Sequence, residues 1–379
     1  MTNAAAATHQ PPPLDIKYGL AGVVVDETAI SKVMQEINSL TYRGYPVQEL
    51  ARQCSFEEVA YLLWNGELPN AGQLAAFKQE ESLQRELSQN LISQLQKFPD
   101  TAHPMDTVRT AVSLLALEDS ETEDNSLDAS RHKSMRLYAR LPTIVATLFR
   151  QRKGQSRIRP NPALGYAENF FYMCFGEVPD QNIVNCFEQS MILYAEHSFN
   201  ASTFTGRVVM STESDIYSAV TAAIGALKGP LHGGANEAVM HNMLEIGSPE
   251  NAVNWLQGKL ERREKIMGFG HRVYRNGDSR VPTMKEAFLK MAAIKGDDTW
   301  SKIYEILEAH MLEKKQIHPN LDFPAGPAYY LMGFDIDFFT PLFVMARVTG
   351  WTAHFMEQQQ NNRLIRPLSA YNGPAERHL

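Results

Sequence analysis

The sequence predicts a mostly α-helical fold with a few short strands near the N-terminus. Helical periodicity recurs in thirteen segments between residues 55 and 358, and strand-like alternation competes with it only between Gly19 and Tyr45. No stretch reaches the roughly 18 consecutive apolar residues of a membrane span.

The elements follow in chain order. Residues 1–14, with an alanine run and Pro11-Pro12-Pro13, read as a loose, extended tail, and without a basic region or long apolar core they do not form a signal peptide. Gly19 to Tyr45 is rich in Val, Thr, Gly and Tyr and reads as short strands. Ser55 then offers an N-cap before an acidic first turn; Val59, Leu62 and Leu63 share a face, and Gly66 and Pro69 end the helix. Comparable patterns cover residues 70–95, 104–117, 131–150, 163–175, 181–196, 214–227, 235–246, 250–264, 282–294, 299–315, 327–333 and 339–358. The acidic, apolar-poor segment Glu118 to Ser130 reads as an exposed, mobile connection.

A chain of 379 residues can bury a substantial core without metal or disulfide staples. Its net charge of −7 keeps it soluble and offers no general attraction for nucleic acid or anionic lipid, so any anionic ligand must be held by a few arginines in a pocket. Cys54, Cys174 and Cys186 form no CxxC pair, which excludes a disulfide framework and suits a reducing cytoplasm.

Glycine and proline concentrate between Gly225 and Gly277 and between Pro319 and Gly333, where the residues fit for chemistry also lie. In Lys228-Gly-Pro-Leu-His232-Gly-Gly-Ala-Asn-Glu237 a histidine precedes two glycines and a new helix. The glycines permit close approach of backbone and ligand, and the helix N-terminus favours a neutral imidazole whose N–H can donate to a carbonyl oxygen. Met267-Gly-Phe-Gly-His271-Arg-Val-Tyr-Arg275-Asn-Gly-Asp-Ser-Arg280 sets a second histidine among glycines and arginines, suited to a small polyanion with a carbonyl to polarise. Pro319-Asn-Leu-Asp322-Phe-Pro-Ala-Gly-Pro is expected to fix one carboxylate in a turn, outside a helix, as a general base. Each feature alone is more often structural; together they describe an acid/base site for a multiply anionic substrate.

Competing chemistries fail on their own motifs. Gly268-Phe-Gly270 begins like a dinucleotide fingerprint, but Val273 occupies the third glycine position and no βαβ unit surrounds it. There is no GxxxxGK[ST], no GxSxG to accompany the HGG, and no HExxH; His232 and His241 are badly spaced for a metal on one helix.

GPLHGGANE, GFGHRVY followed by DSR, PNLD, and ARVTGW followed by IRPLSAY resemble, in combination and order, the citrate synthase family, over about Gly19 to Pro374. The resemblance implies a large helical domain, residues 1–228 plus 328–379, with a smaller helical domain, 229–327, inserted and closing over a cleft. It implies catalysis by His232, His271 and Asp322, oxaloacetate held by His197, Arg280, Arg347 and Arg366, and CoA phosphates met by Arg275 and Lys314 or Lys315. It further implies a homodimer in which Arg366 reaches the neighbouring subunit's site, no cofactor beyond the acyl-CoA substrate, and no metal. LTYRGY, EEVAYLLWNGELP, HPMD and YAEHSFNAST resemble the 2-methylcitrate synthase branch, which takes propionyl-CoA and often acetyl-CoA; Arg272 and the Phe-Pro-Ala-Gly after Asp322 depart from its enterobacterial members. The likeness is to shorter bacterial members without an added N-terminal domain, and NADH regulation is accordingly not expected.

Overall fold

A computed structural model describes residues 15–274 and 276–379; the expected N-terminal tail and Arg275 lie outside them. The fold is mostly α. A small antiparallel sheet, β1 (Ser31–Met34), β2 (Ser39–Tyr42) and β3 (Tyr45–Pro46), comes first, with Ser31 opposite Tyr42 and Tyr42 opposite Tyr45. Arg43 and Gly44 both adopt positive φ (49° and 92°), the twist a two-residue hairpin between right-twisted strands requires.

The helices are α1 (Val47–Gln53), α2 (Phe56–Asn65), α3 (Ala71–Gln84), α4 (Gln89–Leu95), α5 (Pro104–Glu118), α6 (Leu127–Arg152), α7 (Tyr166–Phe175), α8 (Gln181–Tyr194), α9 (Ala201–Met210), α10 (Ile216–Leu227), α11 (Ala235–Ile246), α12 (Ala252–Glu261), α13 (Val281–Lys295), α14 (Thr299–Lys315), α15 (Asp322–Met332) and α16 (Phe339–Gln360). Ser55 caps α2 as expected: its hydroxyl accepts from Glu58 N, the Glu58 carboxylate accepts from Ser55 N, and Gly66 ends the helix in the left-handed conformation.

Three differences from the sequence expectations have physical causes. The 70–95 pattern divides into α3 and α4 because Ser88 caps a new helix, its hydroxyl accepting from Leu91 N. The Glu118–Ser130 segment is anchored rather than mobile. Arg136 pairs with Asp119 and Glu121, and the buried Lys133 ammonium donates to the carbonyls of Thr122 (3.1 Å) and Asp124 (2.6 Å). Asp322 lies at the first position of α15 and not outside a helix; Pro324 falls in the first turn, where a missing N–H costs nothing.

α16 positions the site. Every residue from Phe339 to Met356 is buried, so this helix runs through the core, packed by α2, α6, α8, α9 and α10. Small residues let its neighbours approach: a Cβ on Gly350 would overlap the Ala195 carbonyl oxygen and Glu196 Oε2, and one on Gly206 of α9 would overlap the Phe355 ring. α15 packs on α11 and α13, joining the elements that follow His232 and Arg280 to the one that begins with Asp322.

Candidate active site

A cleft of about 2060 Å³ brings together His197, His232, His271, Arg280, Asp322 and Arg347, residues spread over 150 positions of sequence. Lys315 also reaches it, with Arg263, Lys265 and Arg272 forming a basic margin. Lys314 does not line the cleft: one residue along α14 turns it away, and it ion-pairs with Glu313 at 3.4 Å. Arg366 is exposed on the extended chain after α16, away from this cleft.

Each histidine is held so that its tautomer follows from geometry. His232 sits in the turn between α10 and α11, where Gly233 and Gly234 are required: a Cβ would come 2.8 Å from the Leu227 carbonyl oxygen or 2.9 Å from that of Lys228. The glycines thus serve backbone-to-backbone packing. His232 Nε2 lies 3.3 Å from Ser202 N and 2.8 Å from Ser202 Oγ. Because the backbone N–H can only donate, Nε2 accepts, leaving Nδ1–H as the group His232 can offer. Burial, reinforced by the Arg347 charge, pushes its pKa down to about 3.

His271 follows two glycines at φ +85° and +81°; a Cβ on Gly268 would come 2.7 Å from Val239 and 2.9 Å from Phe323. This loop pairs with Pro319-Asn320 through Gly270 N to His318 O (2.8 Å) and Asn320 N to Gly268 O (2.9 Å), fixing His271 beside Asp322 in the fold. His271 Nδ1 accepts from Val273 N (3.0 Å) and Tyr274 N (3.2 Å), so its N–H is on Nε2. Burial and Arg280 hold its pKa near 4, so it is neutral at pH 7. Its ring stands 5.0 Å from that of His197.

Both arginines are buried. Arg280 forms a fork on Asp278, Nε to Oδ1 at 2.9 Å and Nη2 to Oδ2 at 2.7 Å; burial opposes both charges, but the pairing outweighs it. Arg347 donates Nε–H to the Tyr194 carbonyl (2.6 Å), and burial lowers its pKa to about 10, still charged at neutral pH. Arg347 Nη1 and His197 Nε2 are buried donor or acceptor atoms with no protein partner among the described residues. Polar atoms orphaned in a cleft beside two guanidinium groups suit the oxygens of a small anionic ligand.

Asp322 accepts Tyr194 O–H at 2.7 Å, and its own N–H donates to Asn320 Oδ1 at 3.1 Å. Burial raises its pKa to about 6, partly offset by the Tyr194 hydrogen bond and the arginines.

Sequence reasoning assigned no role to Tyr194, Ser202 or Asp278, although the first two lie within YAEHSFNAST and the third within DSR. It also missed Glu196 and His354, a fully buried pair (2.8 Å) whose carboxylate accepts from Ser31 Oγ (2.8 Å) and from Ser198 N, bracing the turn after His197. Ser198 takes φ +52° there, a strained conformation for a non-glycine residue. An aspartate two positions before Arg280 or a serine two positions after the Asn200 cap carries no signal without coordinates.

The model of the family described as "Citrate synthase, C-terminal domain" matches residues 19–368. A citrate synthase from Mycolicibacterium smegmatis is 64% identical over 364 residues, covering 96% of this chain and 97% of that protein. A 2-methylcitrate synthase from Mycobacterium tuberculosis is 64% identical over 365 residues, covering 96% and 92%. Among solved structures, citrate synthase from Thermoplasma acidophilum in ternary complex with carboxymethyl coenzyme A and oxaloacetate superposes with a TM-score of 0.91 at 33% identity, covering 96% of this chain and 98% of that one. With likeness of this extent over nearly its whole length, and with the histidine, aspartate and arginine motifs converging on one cleft, the chain belongs to the citrate synthase family.

Proposed function

We propose that the protein condenses a short acyl-CoA, propionyl-CoA or acetyl-CoA, with oxaloacetate and water to give 2-methylcitrate or citrate and CoA. The observation that carries this reading is the fixed tautomer pair: backbone amides occupy Nε2 of His232 and Nδ1 of His271, so each presents a neutral N–H donor at the cleft that holds Asp322.

Asp322 removes a proton from the acyl α-carbon while His232 Nδ1–H stabilises the charge developing on the thioester oxygen. A donor fixed in place before charge develops needs no reorganisation during the step. The resulting enol or enolate attacks the ketone of oxaloacetate, which His271 Nε2–H polarises and then protonates as the carbon–carbon bond forms. Arg280 and Arg347 hold the oxaloacetate carboxylates, His197 Nε2 hydrogen-bonds the same substrate, and Arg366 serves the neighbouring subunit's site in a homodimer. Lys315, with Arg263, Lys265 and Arg272, meets CoA phosphates at the margin. Water then cleaves the thioester. No cofactor or metal is required, and the reaction belongs to the cytoplasm. Closure of residues 229–327 over 1–228 plus 328–379 excludes water during condensation.

Relatives named citrate synthase and 2-methylcitrate synthase at equal identity support activity with both thioesters. One methylene in an apolar pocket distinguishes substrates by only about 1–3 kcal/mol. The test is oxaloacetate-dependent CoA release with acetyl-CoA and propionyl-CoA in parallel, for wild type and Asp322→Ala. Release with either thioester, lost in the variant, is expected, and the ratio of the kcat/KM values assigns the preference. Absence of release with both would overturn the reading.

A further inference from the structure

Tyr194, the last residue of α8, meets three parts of the cleft at once. Its hydroxyl donates to Asp322 Oδ1 at 2.7 Å. Its carbonyl accepts from Arg347 Nε at 2.6 Å. Its ring lies 4.2 Å from that of Phe343, which in turn carries the Arg347 guanidinium at 4.7 Å and stands edge-on to His232 at 6.2 Å. The residue is 1% exposed, so this arrangement is held by packing on all sides.

A carboxylate that abstracts a proton from carbon must present one oxygen to that carbon at a fixed angle, and a free carboxylate rotates about its terminal bond. The Tyr194 hydrogen bond removes that freedom. It occupies Oδ1, and Oδ2 has no hydrogen-bond partner among the described residues while Asp322 lines the cleft. We infer that Tyr194 is a positioning residue for the general base: through its hydroxyl it dedicates Asp322 Oδ2 to the acyl α-carbon and sets the basicity of the carboxylate. This inference rests on the condensation reading above, since it assigns the part Asp322 plays in it.

The phenol can act only as a donor here. Burial first, and then the neighbouring Asp322 charge, raise its pKa well above the ordinary value, so the proton remains on Tyr194 throughout the working range. The other groups around Asp322 are Arg280 and Asp278 from the loop before α13, Arg347 from α16 and Tyr329 on α15 itself. Arg280 is committed to Asp278 and Arg347 to the Tyr194 carbonyl, so the tyrosine hydroxyl is the one direct hydrogen-bond donor to the Asp322 carboxylate among the described residues.

Tyr194→Phe deletes the hydroxyl and leaves the ring against Phe343 and the carbonyl on Arg347. A hydrogen bond to a charged group has a strength equivalent to about one to two pH units of displacement in its titration. The expected result is an acid limb of the kcat/KM profile displaced upward by about that amount. At the pH optimum kcat should fall at least about tenfold, with KM for oxaloacetate within about twofold of wild type. Difluorotyrosine at position 194, a stronger donor, should displace the limb downward. A merely structural role predicts a lower thermal midpoint with the limb unmoved in both proteins, and that outcome overturns the inference. Wild-type inactivity would overturn the condensation reading instead. The hydrogen bond is read separately from turnover by the infrared carbonyl stretch of protonated Asp322, with Asp322→Asn as blank; identical titration of that band in wild type and Tyr194→Phe would also refute the inference.

Discussion

Asp322 and the two histidines are tuned in opposite senses by the same cause. Burial disfavours charge, which raises the carboxyl to about 6 and depresses His232 to about 3 and His271 to about 4. Above pH 6 all three are in the forms the condensation needs, a carboxylate and two neutral imidazoles. The kcat/KM profile should therefore show a single acid limb with its midpoint near 6 and none from the histidines between 6 and 8, which initial rates across pH 5–9 would establish. Stability runs the other way. The folded-state pKa of Asp322 lies above the ordinary aspartate value of 3.8, so its contribution is fully present below about pH 4 and is lost as pH rises through 6. Asp322→Asn should match wild-type stability near pH 4 and exceed it by about 2–3 kcal/mol at pH 7, the equivalent of two pKa units. Chemical denaturation at the two pH values tests this, and equal stability at both would refute it.

At the scale of elements, α16 is the member that tolerates least change. Its passage through the core depends on Gly350, where a methyl group would meet the Ala195 carbonyl and Glu196, backbone and a buried carboxylate that cannot move aside. Gly350→Ala should destabilise by about 3 kcal/mol or more, the upper range for overpacking, read as a drop in the denaturation midpoint. The helices were legible in the sequence because apolar periodicity and caps such as Ser55 act locally, within a turn or two. What escaped was set by tertiary contact. α9 begins at Ala201 and has Thr and Gly within it, poor helix formers stabilised by packing on α10 and α16. The start of α15 was obscured by Pro324, which a first turn accepts, and by Pro327, which lies within the helix. The trio proposed as catalytic was legible because glycine and proline mark irregular backbone around each member, whereas Tyr194 and Ser202 carry no such mark and gain their meaning only from what they face.

For the whole molecule, the position of Arg366 has the largest consequence. It is exposed on an extended segment outside the cleft of its own chain, where Leu364 and Leu368 are also exposed at 63% and 90%. If a homodimer shares its sites as proposed, Arg366→Ala and Asp322→Ala protomers are each inactive alone but complementary together, because a mixed dimer retains one site with both residues. Randomly mixed at equal amounts, half the dimers are mixed and carry one intact site of two, so activity should return to about one quarter of wild type. Coexpression with two different affinity tags measures it; no recovery would refute the shared site.

The wall of the cleft formed by Gly19 to Asp26 is held at two points, by Arg272 donating to the Gly19 carbonyl at 3.1 Å and by Asp26 paired with the buried Arg207 at 3.0 Å. These two anchors act on the wall as pins act on a door frame: loosening either one, by changing Arg272 or Asp26, would free one side of the opening.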